Sequence, residues 1–540
     1  MTRIEWIICG VLAAAPPTTA QVSYQRLLQS ASEPNNWLTY SGSYKSWRYS
    51  PLSQVNRQNA ASLKLAWVYQ MVTTHKIETT PLVVDGIMYI SEPPSNVIAL
   101  GAATGRPFWH YRRILPSKIN VCCDQVNRGV AMLDDRLFVG TVDAHLVALN
   151  AKTGAVLWDI AVADNRSGYA ITGAPLAVKD MVITGIAGGE YGIRGFLDAY
   201  DAKTGQRRWR FYTVPAPGEK GSETWESDAW QRGGAPTWVT GSYDPELNLV
   251  IWGTGNPAPD WNGDARPGDN LYADSAIALD ADTGALKWHF QFVPHDTHDW
   301  DAVQVPVLVD ADWRGRPRKL VYWAHRGGFF YVLDRATGEF LLGKPFMGQT
   351  WAKGLDDRGR PVLVPGLEPT EAGVVVAPGV QGGTNWYSPS FNPLTNLFYL
   401  SVWENKGLFQ KGEVEYTAGN RYPGSLPASE LPDDPGYGAI RAINPKTGEK
   451  MWEHKMQSKP WTGVLSTGGR LLFGGTGGGL ARDDESVEAY FYALDAENGK
   501  ELWHINLGGT MAASPVTYLV KGKQMITTSA GSGVFTFTLP

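Results

Sequence analysis

Short apolar runs, many of them alternating, recur along the whole chain and are broken by Asp, Asn and Gly, a spacing that predicts strands and tight turns rather than helices. One phrase dominates: apolar-x-[Asp/Asn]-x-x-Thr-Gly-x-x-x-Trp. It occurs as Ala148-Leu-Asn-Ala-Lys-Thr-Gly-Ala-Val-Leu-Trp158 and as Ala199-Tyr-Asp-Ala-Lys-Thr-Gly-Gln-Arg-Arg-Trp209. It returns from Ala278 to Trp288, from Ala442 to Trp452 and, with Asn498 in place of Thr, from Ala493 to Trp503. A variant ends at Trp109, the unit from Val332 to Leu342 lacks its Trp, and Leu63 to Trp67 keeps only a final strand.

In each phrase a strand ends at an Asp or Asn that accepts backbone hydrogen bonds, Gly supplies a positive φ, and a second strand carries the Trp. Upstream stretches such as Pro81 to Ile90 and Ala177 to Ile183 read as two further strands about a tight turn, making four antiparallel strands per repeat. Most of the Trp positions recur at about fifty residues, the length of a propeller blade. Counting the degenerate and partial units predicts an all-β, eight-bladed β-propeller with Trp-docking repeats. Longer gaps before Trp288 and Trp452 require insertions, of which the Gly- and Pro-rich stretch from Glu404 to Gly438 is expected to be a long surface loop. The Trp rings are read as packing between blades, where the N–H can bond a neighbouring blade.

Composition agrees: Gly is high at 60, Trp very high at 22 and charged residues low at 19%. A net charge of −5 without a basic stripe makes nucleic acid a poor partner. Residues 1–20 read as a secretory signal, with Arg3, an apolar run from Ile7 to Ala15 and a small-residue cleavage site at Thr18-Thr19-Ala20, which leaves 21–540 as the propeller domain. No stretch is long enough to span a bilayer. Export to the periplasm removes Cys9 and leaves Cys122 and Cys123 where disulfides persist. The sequence contains no Cys-x-x-Cys-His for covalent haem.

Four motifs exceed what a blade needs. In Val121-Cys-Cys-Asp-Gln-Val-Asn-Arg-Gly129 the adjacent cysteines are either two reduced small hydrophobes or a strained ring, since neighbouring Cα atoms sit about 3.8 Å apart, below the usual disulfide range. Gly185 to Gly195 is a Gly-rich turn that can approach a ligand closely, with Glu190 in it as a solvated carboxylate or a hard-cation ligand. Trp238 lies outside the blade repeat and is followed by Asn256 in Gly-Asn-Pro-Ala-Pro; a core Trp and a turn Asn are the bland alternatives. Finally, Pro294-His-Asp-Thr-His-Asp-Trp-Asp301 packs three carboxylates among aromatic rings. His295 and His298 suggest zinc, but the other donors are oxygens and favour a hard cation.

Over essentially the whole mature chain these motifs resemble the methanol and ethanol dehydrogenases that depend on pyrroloquinoline quinone (PQQ). The resemblance implies that Cys122 and Cys123 form a disulfide ring over one face of PQQ, with Trp238 stacked on the other. It implies that Arg128 meets a cofactor oxygen or carboxylate, that Ala187, Gly188 and Gly189 line the cofactor, and that Glu78, Thr141, Arg326, Asn385 and Trp461 complete its contacts. Glu190, Asn256 and Asp299 become ligands to one metal ion. Asp299 is also the base that takes the alcohol's hydroxyl proton while hydride passes to PQQ, with the metal as Lewis acid. Asp301 falls where the lanthanide-dependent branch carries Asp and the calcium enzymes a small residue, so the ion is Ca²⁺ or a lanthanide. In the other arrangement Asp301 turns to a backbone N–H or to Arg326, which leaves an ordinary calcium site.

The implied substrate is a small primary alcohol, oxidised to the aldehyde, and the implied electron acceptor is a soluble periplasmic cytochrome c; a homodimer is compatible with the sequence. Two other readings compete. A binding or scaffold propeller needs neither the Cys pair nor the Asp299 motif, and a PQQ dehydrogenase for sugars or polyols is disfavoured by the Cys pair.

Overall fold

The computed structural model describes residues 22–425, 428–456, 458–477 and 489–540, so the expected signal segment lies outside the described residues. Strands dominate, and among the described residues they form eight sheets with four antiparallel strands each, one of which gains a fifth, parallel strand, Tyr49–Ser50. Within each sheet up-and-down order follows from the tight turns that the sequence contains: Leu82–Val84 and Ile87–Glu92, for example, flank Asp85 and Gly86, both at positive φ. One sheet joins the two ends of the described chain. Lys64–Gln70 pairs with Gly533–Thr538, so the first long strand completes the last sheet.

The repeat phrase has a defined mechanical role. Asp201 Oδ1 accepts the N–H groups of Lys203 and Thr204 (3.0 and 2.8 Å) and the Thr204 hydroxyl (2.9 Å), which fixes the turn. The Trp that follows reaches the next sheet. The indole N–H of Trp109 donates to the Ala151 carbonyl at 3.1 Å, and those of Trp67, Trp158, Trp209, Trp288 and Trp452 donate to Ala102, Ala202, Ala281, Arg335 and Ala496. Each ring also lies on the turn Gly of that next repeat; a Cβ on Gly154, at φ +73°, would sit 2.6 Å from Trp109. In the degenerate unit Leu342 and Lys344 take the place of the ring beneath Gly448.

One departure from the sequence reading concerns an insertion. The stretch from Glu404 to Gly438 is not simply a surface loop: Gly407–Phe409 pairs with Val374–Val376 and Ser429–Glu430 in a three-stranded sheet, and Arg421 and Tyr422 reach inward. A buried apolar cluster that draws on many sheets contains Tyr40, Ala174, Val239, Val303, Val305, Trp386, Tyr387, Trp403 and Ala512. Arg48, fully buried, donates to the carbonyls of Tyr40, Ser514 and Pro515 and to the Thr80 hydroxyl, so one guanidinium ties the chain's first sheet to its last.

Candidate active site

A cavity of about 500 Å³ is assembled from one recurring place in the fold, the few residues that lead into the first strand of successive sheets. Glu78 precedes Leu82–Val84, Arg128 precedes Ala131–Leu133, Thr172 precedes Leu176–Val178 and Trp238 precedes Ser242–Asp244. Asp301, Trp386 and Trp461 hold the corresponding places before Val307–Trp313, Ser390–Asn392 and Leu465–Thr467. Seven of the eight sheets thus each deliver a side chain to a common space.

One part of the cavity is aromatic and cationic. Arg128 Nη2 lies 2.6 Å from Glu78, and its guanidinium is 4.7 Å from the Trp238 ring and 4.9 Å from Trp386. Lys76 sits 4.7 Å from the Trp461 ring. Cys122 and Cys123 are joined by a disulfide that lines the same space. The loop after the pair turns sharply, with Cys123 and Asp124 at φ 66° and 86°. Asp124 holds that turn: its carboxylate meets His75 Nδ1 at 2.6 Å and accepts the Lys76 N–H at 2.7 Å. Arg421, from the insertion, donates to Cys122 Sγ at 2.8 Å.

The other part is acidic. Glu190 stands on the short turn Gly189–Tyr191, whose backbone is pinned by Tyr422 N–H donating to the Glu190 carbonyl at 2.6 Å, and its carboxylate comes within 4.8 Å of both cysteine sulfurs. Asp299 is at φ 58° in a loop held by Asp296, which accepts the N–H groups of His298 and Trp300, each at 2.9 Å. Asp301 accepts the Asn256 N–H at 2.8 Å and pairs with Arg326, whose guanidinium also lies 3.9 Å from Asp299. Burial pushes the carboxyls of Glu190, Asp299 and Asp301 above the usual carboxylate range, and the Arg326 charge pulls against it in each case.

Neither histidine of the Asp299 motif reaches this cluster. His298 is stacked on Trp300 at 4.3 Å with its Nε2 at the Leu367 carbonyl, and His295 bonds the Gly268 carbonyl. Glu190, Asp299 and Asp301 line one cavity, and carboxylate oxygens are donors a hard cation takes. Among the described residues, the group of three or more His, Cys, Asp or Glu whose potential ligand atoms all lie within 4.8 Å of one another is Cys122, Cys123 and Glu190.

The comparisons with known proteins agree with this geometry. Residues 37–343 and 358–526 match the family described as PQQ glucose/ethanol/alcohol dehydrogenase, β-propeller domain. The chain belongs to that family. It is an oxidoreductase, a PQQ-dependent alcohol dehydrogenase. Among its relatives, the quinoprotein alcohol dehydrogenase PedH of Pseudomonas putida is 37% identical, over 98% of this chain and 91% of that one. A europium-containing methanol dehydrogenase superposes with a TM-score of 0.88 at 32% identity, covering 95% of this chain and all (100%) of the other. The quinohemoprotein alcohol dehydrogenase of Comamonas testosteroni gives a TM-score of 0.87 at 33% identity, over 96% and 83% of the two chains.

PQQ-dependent chemistry requires a bed for a flat, anionic quinone, and this cavity has the parts. Aromatic faces and the disulfide line it, Lys76, Arg128 and Arg326 carry positive charge, and the Nε atoms of Arg128 and Arg326 are buried without a hydrogen-bond partner. Of the residues expected at the cofactor, Glu78, Cys122, Cys123, Arg128, Ala187, Gly188, Trp238, Arg326, Asn385 and Trp461 line the cavity, as do Glu190, Asp299 and Asp301. Thr141 does not; its hydroxyl is spent on the backbone of His145. Gly189 lies behind the lining, where a Cβ would meet Pro236 and Asn256. Asn256 is likewise buried behind it. Thr172, Lys76 and Gln381 join the lining without having been singled out in the sequence.

Proposed function

We propose that the chain oxidises a small primary alcohol to the aldehyde at this cavity, in the periplasm after loss of residues 1–20, and passes electrons to a separate soluble cytochrome c. The observation that carries this reading is one cavity with an aromatic and cationic bed at one part and Glu190, Asp299 and Asp301 at another. We read the eight sheets as the blades of one closed ring, a single domain over 21–540.

Bound there, PQQ supplies a two-electron acceptor and a hard cation supplies a Lewis acid. The chain's own residues do the rest. The disulfide and Trp238 hold the cofactor's faces, while Glu78, Arg128 and Asn385 bond its edge. Glu190, Asn256 and Asp299 hold the ion, with Asp301 as a further carboxylate. Asp299 takes the alcohol's hydroxyl proton on a carboxylate oxygen; burial strengthens its affinity for that proton, and the Arg326 charge works against that rise. Asp301 bonds the Asn256 N–H and pairs with Arg326, the arrangement that leaves an ordinary calcium site. Where the ion draws Asp301 away from Arg326, a third carboxylate matches a trivalent ion better than a divalent one, and on that reading the preferred cation is a lanthanide. That the europium-containing relative carries such an ion supports the same choice.

The test is to load the full chain with PQQ and either Ca²⁺ or La³⁺ and follow dye reduction with primary alcohols, sugars and polyols. Turnover of primary alcohols is expected. Turnover of sugars or polyols alone overturns the substrate assignment.

A further inference from the structure

Asn256 presents an amide whose two ends are chemically distinct, and the fold leaves no choice about which end faces where. Its Nδ2 donates to Asp260 Oδ1 at 2.8 Å and to the Pro257 carbonyl at 3.3 Å. The Pro257 carbonyl can only accept, so the NH₂ must face that side. The Oδ1 therefore points the opposite way, toward Gly189: a Cβ built there would lie 3.2 Å from it. Gly189 opens the turn that carries Glu190.

Asp260 itself does not line the cavity and is 1% exposed. Burial raises its carboxyl well above the usual carboxylate range and the Glu190 charge adds to the rise, while the Asn256 amide and Arg266 pull against it. Arg266 does not spend its hydrogen bonds on that carboxylate; they go to the backbone carbonyls of Pro259, Asp260 and Asp296 and to the Asn270 side chain. A buried acidic side chain thus stands directly behind the one neutral ligand of the proposed metal centre.

We infer that Asp260 is a positioning residue of that centre: by accepting from the Asn256 NH₂ it fixes that side chain with its amide oxygen toward the ion. The inference rests on the reading of Glu190, Asn256 and Asp299 as metal ligands. Groups behind the ligands of a metal typically change affinity about ten- to a hundredfold.

Isothermal titration calorimetry of the PQQ-loaded full chain with LaCl₃ and with CaCl₂ tests it, using the parent, Asp260→Asn, Asp260→Ala and, as control, Glu190→Ala. In Asp260→Asn a side-chain oxygen still accepts from the Asn256 amide, and affinity for both ions should stay close to that of the parent. In Asp260→Ala the amide is released, and affinity for both ions should fall about tenfold or more. Parent-like affinity for both ions in Asp260→Ala overturns the inference, and so does an equally large loss in Asp260→Asn, which is read whether or not the Ala variant folds. If Glu190→Ala binds either ion as the parent does, the metal centre itself is misassigned. Loss of binding in Glu190→Ala together with parent-like binding in Asp260→Ala refutes the role of Asp260 alone.

Discussion

We propose two roles for Asp299, metal ligand and base. Its left-handed backbone, held by Asp296, places it in the cavity lining, with the Arg326 guanidinium 3.9 Å away. Asp299→Asn retains the shape and removes the proton acceptor, so turnover should drop by at least about a hundredfold, the lower range for losing a general base. Steady-state kinetics with the ion saturating would show it; near-parent turnover rejects the assignment. Asp301→Ala removes a carboxylate from the same cluster and frees Arg326. Activity with La³⁺ should fall while activity with Ca²⁺ persists, and a variant that still prefers La³⁺ would contradict the charge argument. Motif residues were legible in the sequence because their types are costly in a blade: adjacent cysteines, an off-repeat Trp, three acids among rings. Asp260 was not, since in Asn-Pro-Ala-Pro-Asp it reads as a turn, and its role exists only through its bond to Asn256. Thr141 was misplaced for a related reason: a Thr at a strand end satisfies its own turn as readily as a ligand.

At the scale of elements, the repeat phrase states both a turn and the surface on which the preceding sheet's Trp rests. Gly154 shows the constraint, with φ +73° and Trp109 close against it. Gly154→Ala should destabilise the protein by about 1–3 kcal/mol, from left-handed strain and displacement of the ring. Thermal or denaturant unfolding measures it; a loss within experimental error would show that the docking is loose. The fold was readable because the same pattern repeats, and each repeat must bury its Trp on the next. The insertion from Glu404 to Gly438 was not, because its polar, Gly-rich sequence carries no period, whereas its placement is decided by partners far away, Arg421 at Cys122 and Tyr422 at Glu190. The loop bearing the disulfide is a further element fixed from outside, through Asp124. Asp124→Ala should loosen that loop and weaken PQQ binding several-fold, read by cofactor absorbance titration, with the disulfide still present by mass spectrometry of the non-reduced peptide. Parent-like PQQ affinity in that variant would show that the loop needs no such anchor.

Across the whole molecule, seven of the eight sheets contribute to one cavity; the eighth pairs the first long strand with the last, and Arg48 ties it to the sheet that begins at Leu82. The proposed function depends on this: a site drawn from so many sheets keeps its geometry only while the contacts between them hold. Arg48→Met removes the charge and leaves several carbonyls unpaired, which should lower stability by about 2–4 kcal/mol. Comparison of unfolding midpoints checks it, and an unchanged midpoint would show that the two ends are held without it. The cavity's contents test the account most directly. The full chain, stripped of metal and loaded with PQQ, is to be assayed for dye reduction with a short primary alcohol, alone, with Ca²⁺ and with La³⁺. The account predicts no turnover without an ion, turnover with either ion and the faster rate with La³⁺. Full turnover without any ion, or none with either, would contradict it.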